Sequence, residues 1–173
     1  VPREGRKKVL EVGCGTGSFT KEILKTLRAG DTFHIVELNP EFCNAVEKTL
    51  LAPFRLNNPD IHVRMHNMPI EEAEIDCTFD AIICGLPFNN FPVALVQHLF
   101  SVMFGLLKKD AVLAYFEYLG MRSIKSLFGF SSVRKETKQR TTDINKRFQK
   151  HHGTQVNVYK NIPPSRVVSL KGC

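Results

Sequence analysis

Glu11-Val12-Gly13-Cys14-Gly15-Thr16-Gly17 decides how this chain folds. Before it, Lys8 to Val12 is a short apolar, β-branched run that reads as a strand. After it, Ser18 to Leu27 repeats Phe19, Ile23, Leu24 and Leu27 at helical spacing. A strand that passes through a glycine turn into a helix opens a βα unit. Small residues at such a turn let a ligand approach the backbone, and the unpaired N–H groups of the helix start can engage its polar parts. The spacing is G-x-G-x-G, which is neither the dinucleotide pattern G-x-G-x-x-G nor the phosphate-binding G-x-x-x-x-G-K. Glu37 closes the next strand, where a carboxylate can accept hydrogen bonds from both ribose hydroxyls. Together these residues describe a site for an adenosine-containing cofactor that has no pyrophosphate to cradle.

Outward from that turn, apolar runs of strand and helix period alternate. Thr32 to Glu37 is a second strand, and Asn39-Pro40 is a cap and first position for a helix through Leu51. Strands follow at Ile61 to Met65 and Phe79 to Cys84, the latter nearly all apolar as in a sheet covered on both faces. Phe91 to Leu107 reads as a helix and Val112 to Phe116 as a strand. Gln155 to Tyr159 and Arg166 to Leu170 form a closing antiparallel pair. The expected fold is α/β: a Rossmann-like, doubly wound, mostly parallel seven-stranded sheet with an antiparallel C-terminal strand. All 173 residues are expected to form one domain, with a basic amphipathic insertion at about 119–152.

Charge divides the chain. Residues 1 to 120 carry 12 basic against 15 acidic side chains, a net of −3, whereas residues 121 to 173 carry 12 against 2, a net of +10. A basic third on an acidic body points to a polyanionic partner, nucleic acid or an anionic membrane surface. No apolar run approaches the roughly 20 residues that span a bilayer. The cysteines at 14, 43, 77, 84 and 173 form no C-x-x-C pair, which fits reduced thiols and a cytoplasmic setting. The six histidines show no metal-ligand spacing, and no metal is expected.

An acidic residue followed by G-x-G-x-G, with an acid closing the second strand, resembles the class I methyltransferases that use S-adenosylmethionine. Glu11, Gly13, Gly15, Gly17 and Glu37 match that pattern position by position. The resemblance implies S-adenosylmethionine as cofactor, the glycine loop with Cys14 on its methionine end, and Glu37 with Leu38 at its ribose. Where the family often has an acid for the adenine amine, this chain has His66-Asn67-Met68. Asn67 is then either an acceptor through its side-chain oxygen or a turn residue, with Met68 beside the adenine.

Cys84-Gly85-Leu86-Pro87-Phe88 ends the fourth strand, at the edge where open α/β sheets bind ligands. It is not the N-P-P-Y of many nitrogen-methylating relatives. It looks like the S-G-L-P element of bacterial phospholipid N-methyltransferases, and Asn161-Ile162-Pro163-Pro164-Ser165-Arg166-Val167 is similar to their N-x-P-P-A-R-V. The resemblance implies methyl transfer to the amine of phosphatidylethanolamine and its mono- and dimethyl forms, toward phosphatidylcholine. It places Gly85, Leu86, Pro87, Tyr118 and Arg166 at the acceptor, with Cys84 on the cofactor side. Tyr115 and Glu117 are further candidates for lining that site, and Arg166 can pair with a lipid phosphate. Met121 to Lys150, with Ile124, Leu127, Phe128 and Phe130 among nine basic residues, fits a surface-binding segment. The expected protein is a monomer held peripherally at an anionic membrane. The alternatives are an enzyme like the adenine-methylating ribosomal RNA enzymes and a non-catalytic lipid- or protein-binding module. Zero tryptophan, three tyrosines and the missing N-P-P-Y weigh against RNA.

Overall fold

The computed structural model describes residues 5–118, 153–158 and 165–172. The expected insertion at 119–152 and the motif residues 161–164 lie outside these. Seven strands form one sheet: β1 (Lys8–Val12), β2 (Thr32–Val36), β3 (His62–His66), β4 (Phe79–Cys84), β5 (Leu107–Tyr118), β6 (Thr154–Val158) and β7 (Ser165–Lys171). Their spatial order is β3-β2-β1-β4-β5-β7-β6. β1 through β5 run parallel, and β7 is antiparallel to both neighbours, β5 and β6. The doubly wound sheet expected from the alternating pattern is therefore present, with its reversed strand near the C-terminus.

Helices α1 (Ser18–Leu24), α2 (Pro40–Val46), α3 (Ala52–Asn57) and α4 (Val93–Gly105) cover the sheet. The parallel strands alternate their side chains between two apolar layers. Leu10, Val12, Ile82, Cys84, Leu113 and Leu170 meet Val96, Phe100 and Met103 of α4 on one side. Phe33, Ile35 and Val63 meet Leu24, Val46 and Leu51 on the other. Phe33, Phe79 and Phe100 are among the largest side chains fully removed from water. Each such burial is worth about 1.5 to 3 kcal/mol, which fixes the sheet edges that carry the site.

Asn39 caps α2 as its sequence indicates, its side chain accepting from the Glu41 amide at 2.8 Å with Pro40 in the first turn. Three boundaries differ from expectation by three residues or more. The helix expected to stop at Leu51 continues to Asn57, because a π turn at Glu47–Leu51 restarts the ladder and leaves Pro53 in a first turn, where no N–H is needed. Arg55 braces that turn by pairing with Glu47 and donating to the Val63 carbonyl at 3.0 Å. α1 ends three residues early, where the Thr26 amide and hydroxyl both bond the Ile23 carbonyl. β5 begins at Leu107 rather than Val112. Its polar start, Lys108-Lys109-Asp110, contains the left-handed Asp110 (φ 60°), and the register against β4 shifts there.

Candidate active site

Between β1 and β4 the strand order reverses direction, and in open α/β sheets ligands bind outside the carboxyl ends at such a point. A pocket of about 200 Å³ opens there. Wider depressions of about 580 and 540 Å³ lie at the opposite, amino ends of the strands, among Lys7, Lys108 and neighbouring polar groups. Neither contains the glycine loop or stands at the switch point, so the smaller pocket is the candidate site.

Its base is the end of β1. The Gly13 amide donates to the Val36 carbonyl and the Gly85 amide to the Val12 carbonyl, both at 2.8 Å, which aligns the three turns along one edge. Gly13 has φ +76°, and a Cβ there would come within 2.5 Å of Leu86 Cδ2; one at Gly85 would stand 2.3 Å from the Gly13 carbonyl oxygen. The two glycines let the loops after β1 and β4 touch. Gly17 caps α1 through its backbone.

Glu37 holds the next turn in place. Its Oε2 accepts from the Gly15 amide and its Oε1 from the Asn39 amide, each at 2.9 Å. One carboxylate thus links the glycine loop to the α2 cap, and its remaining lone pairs are available to hydroxyl donors. Leu38 follows it, 67% exposed, and both residues line the pocket. Met68 and Ile70 close the side next to β3, and Leu86, Phe91 and Leu95 close the side next to α4.

Glu11 is the other acid of the motif, and it lies on the α1 side of the sheet, wholly buried. Oε2 accepts from the Thr20 hydroxyl at 2.8 Å, while Oε1 is buried with no hydrogen-bond partner among the described residues. Burial pushes its pKa up to about 7; the Thr20 hydrogen bonds oppose this and the nearby Glu37 charge adds to it. An orphaned carboxylate oxygen is costly unless a ligand donor completes it.

Several sequence-predicted residues fall elsewhere. Asn67 does not line the pocket; its amide donates to the Glu37 and Leu38 carbonyls at 3.0 and 3.1 Å, tying the turn after β3 to the turn after β2. Cys14 and Cys84 pack their side chains into the two cores, and burial pushes each thiol up to about 12, so neither is a thiolate at neutral pH. Tyr115 is buried edge-on to Phe88 and Phe100, which removes it from any acceptor surface. Pro87 leads into a turn at Phe88–Asn90 beside the pocket. Arg166 is paired in register with Glu117 at the carboxyl edge, its Nε donating to Asn157 Oδ1 at 2.9 Å. Tyr118 ends β5, and its side chain lies outside the described ones.

Sequence reasoning missed Thr20, Ile70, Glu71, Phe91 and Leu95. Thr20 had a signal, a hydroxyl four residues before Leu24 in the apolar stripe of α1. The others lie in segments just past β3 and β4, where strand ends alone do not show which residue turns inward. Glu71 stands at the pocket rim, with His98 Nε2 at 3.8 Å from its Oε1.

The sequence pattern of the methyltransferase-domain family matches residues 10–113, more than half of the chain. The chain belongs to that family. Its cofactor is S-adenosylmethionine, the methyl donor of the class I enzymes of this family. Over 103 residues the domain is 26% identical to an ornithine lipid N-methyltransferase from Singulisphaera acidiphila, covering 60% of this chain and 53% of that protein. The methyltransferase chain therefore spans about half the length of the curated relative it matches. Among solved structures it is similar to the O-methyltransferase TomG from Streptomyces achromogenes, determined in complex with S-adenosylmethionine (TM-score 0.69, 10% identity, 96% of this chain and 74% of that one). It is also similar to the N-methyltransferase NodS from Bradyrhizobium japonicum (TM-score 0.62, 12% identity, 96% and 85%). At these identities the two structures establish the fold.

Proposed function

We propose that this methyltransferase moves the methyl group of S-adenosylmethionine to the amine of a membrane lipid headgroup. Phosphatidylethanolamine and its mono- and dimethyl forms are the first-choice acceptors, on the way to phosphatidylcholine. The observation that carries the lipid part is the likeness to an ornithine lipid N-methyltransferase, whose named substrate is also a lipid. The G-L-P-F turn at Gly85–Phe88, where an N-P-P-Y would suit a nucleobase amine, supports the same choice.

The pocket fits the donor. Glu37 offers its outward lone pairs to the ribose hydroxyls, and Met68, Ile70, Leu38 and Leu86 provide an apolar slot for adenine. Glu11 Oε1, which has no hydrogen-bond partner among the described residues, would hold the cofactor's α-ammonium. When bound, the donor supplies an electrophilic methyl on a sulfonium. The protein's part is alignment. Leu86 and Phe91 exclude water from the pocket side of the acceptor, and the Gly85–Pro87 backbone can direct the amine lone pair. The amine must arrive neutral, and in the first two transfers it must lose a proton afterwards; Glu71, the pocket-lining carboxylate that the Gly15 and Asn39 amides do not engage, can accept it. Arg166 at the same edge meets the lipid phosphate. The +10 C-terminal third, mostly outside the described residues, supports attachment to an anionic bilayer as a peripheral protein. No described helix is long and apolar enough to cross a membrane.

Paired substitutions test this division of roles. Glu37→Ala removes the ribose acceptor and should weaken S-adenosylhomocysteine binding at least tenfold in calorimetry. Arg166→Ala should leave that affinity within twofold and lower methyl transfer to phosphatidylethanolamine. Equal losses of cofactor affinity in both would contradict the assignment.

A further inference from the structure

The glycine loop has three residues in the left-handed region, Gly13 (φ +76°), Gly15 (φ +52°) and Gly17 (φ +84°), and glycine loses more backbone freedom on ordering than any other residue. Such a loop presents its N–H groups in one arrangement only if something outside it holds each glycine. Two of the holds are polar: the Val36 carbonyl takes the Gly13 amide at 2.8 Å, and Glu37 Oε2 takes the Gly15 amide at 2.9 Å. Gly17 is held differently. It caps α1 with no side-chain hydrogen bond, its amide turns back to the Cys14 carbonyl, and two apolar side chains from the next helical run close over its Cα. A Cβ there would stand 2.7 Å from Leu50 Cδ1 and 3.1 Å from Val46 Cγ2, so these two methyl groups occupy the space that any other residue would fill.

The π turn explains why Leu50 stands there. In a regular α-helix, side chains three and four residues apart share a face, and the one five residues on leaves it. At Glu47–Leu51 the Ala52 amide bonds the Glu47 carbonyl, five residues back, and the wider turn directs both Leu50 and Leu51 inward with Val46. Val46 and Leu51 are fully buried in the core on the α1 side, while Leu50 packs against that core and over Gly17. We infer that Leu50 is a positioning residue for the cofactor: the π turn presses it onto Gly17 and thereby keeps the glycine loop in the shape that receives the methionine end of S-adenosylmethionine. The inference rests on the reading of the glycine loop as part of the cofactor site. Without Leu50 the ordering of the loop falls to the cofactor, whose affinity drops accordingly, while the acceptor end beyond Gly85 is untouched.

S-adenosylhomocysteine is the probe. Leu50→Ala should weaken its binding in calorimetry by about fivefold or more, the lower end of coupling between linked elements. It should raise the KM for S-adenosylmethionine in parallel and leave kcat unchanged. In the cofactor-free variant the backbone amides of residues 15–18 should exchange with solvent faster than in the native protein, and S-adenosylhomocysteine should restore their protection. Leu50→Met refills the space with a flexible side chain and should recover most of the affinity. Leu56→Ala removes an 84% exposed leucine from α3 and should bind as the native protein does. In a double-mutant cycle, Gly17→Ala should cost less affinity in the Leu50→Ala background than in the native one, because the added methyl no longer meets Leu50 Cδ1 while the strain of alanine at φ +84° is common to both. A circular dichroism melt shows each variant folded at the assay temperature, and Leu50→Val carries the same comparison if Leu50→Ala melts below it. Native affinity with native loop exchange in the Leu50 variant, a loss confined to kcat, or strict additivity in the cycle overturns the inference. Glu37→Ala separates the two ideas: affinity lost there but kept in Leu50→Ala refutes only the positioning role, whereas native affinity in Glu37→Ala, Gly17→Ala and Leu50→Ala alike refutes the cofactor reading of the loop.

Discussion

Replacing Glu11 by Gln should make the protein more stable above neutral pH and a poorer binder of its cofactor. Gln is nearly isosteric with the protonated acid and can still accept from Thr20. In the native protein the folded form raises the Glu11 pKa from 4.5 to about 7, so folding takes up a proton that the unfolded chain does not hold. The sign follows from linkage: this acid costs nothing well below pH 4.5, its penalty grows as the pH rises from 4.5 to 7, and it is complete above 7. A shift of that size corresponds to about 3 kcal/mol at pH 8 and under about 1 kcal/mol at pH 5, at about 1.36 kcal/mol per unit. Glu11 is wholly buried, so solvent screening does not reduce it. Urea unfolding of both proteins at pH 5, 6, 7 and 8 is the assay. The difference between variant and native should widen by about 2 kcal/mol across that range, with no change in the denaturant slope. A difference that stays constant with pH would refute a Glu11 that is neutral in the cofactor-free fold.

Cofactor binding should carry the opposite dependence. Because an ammonium needs the Glu11 carboxylate charged, S-adenosylhomocysteine should bind more tightly as pH rises from 5.5 to 7, with proton release on binding in calorimetry across buffers; pH-independent affinity would count against the Glu11 contact. Gly85→Ala drives a Cβ to within 2.3 Å of the Gly13 carbonyl oxygen. It should lower stability by about 1–3 kcal/mol and weaken the cofactor with it, and a native-like melt with native affinity would show that the two loops do not need their contact. His34, buried against Phe79 and stacked on His66 with ring nitrogens 3.1 Å apart, has its pKa lowered to about 4 by burial first and then by His66 and nearby cations. Its neutral form favours the fold, so the stability it contributes should fall as pH drops from 6.5 toward 4. Ring resonances in NMR should titrate near 4, and a midpoint near 6.5 would contradict its burial.

Much of the architecture was legible because the same residues answer to several physical constraints at once. The glycine loop at Gly13–Gly17 marks a strand end, a helix start and a close backbone approach, and Asn39-Pro40 specifies a cap by two independent means. What stayed hidden depended on contacts distant in sequence. Pro53 signals a stop only until a π turn gives it a first-turn position, and Asp110 looks like the end of a loop until its amide meets the Gly172 carbonyl and β4 pairs Leu107 and Val112 on either side of it. Asn67 reads equally as an adenine acceptor or a turn residue. The fold decides by placing two carbonyls within reach of its amide. Tyr115 faces inward because α4 crosses that face, which no local pattern near Tyr115 announces. The Glu11–Thr20 pair needed the helix and the strand to be superposed before the unpaired oxygen became visible.

Transfer of labelled methyl from S-adenosylmethionine, offered in one reaction to phosphatidylethanolamine vesicles and to total RNA, tests the central claim most directly. The account predicts label in mono-, di- or trimethylated ethanolamine lipid, none in RNA, and loss of the lipid label in Glu37→Ala. Label in RNA alone, or none in either acceptor from protein that binds the cofactor, would contradict it.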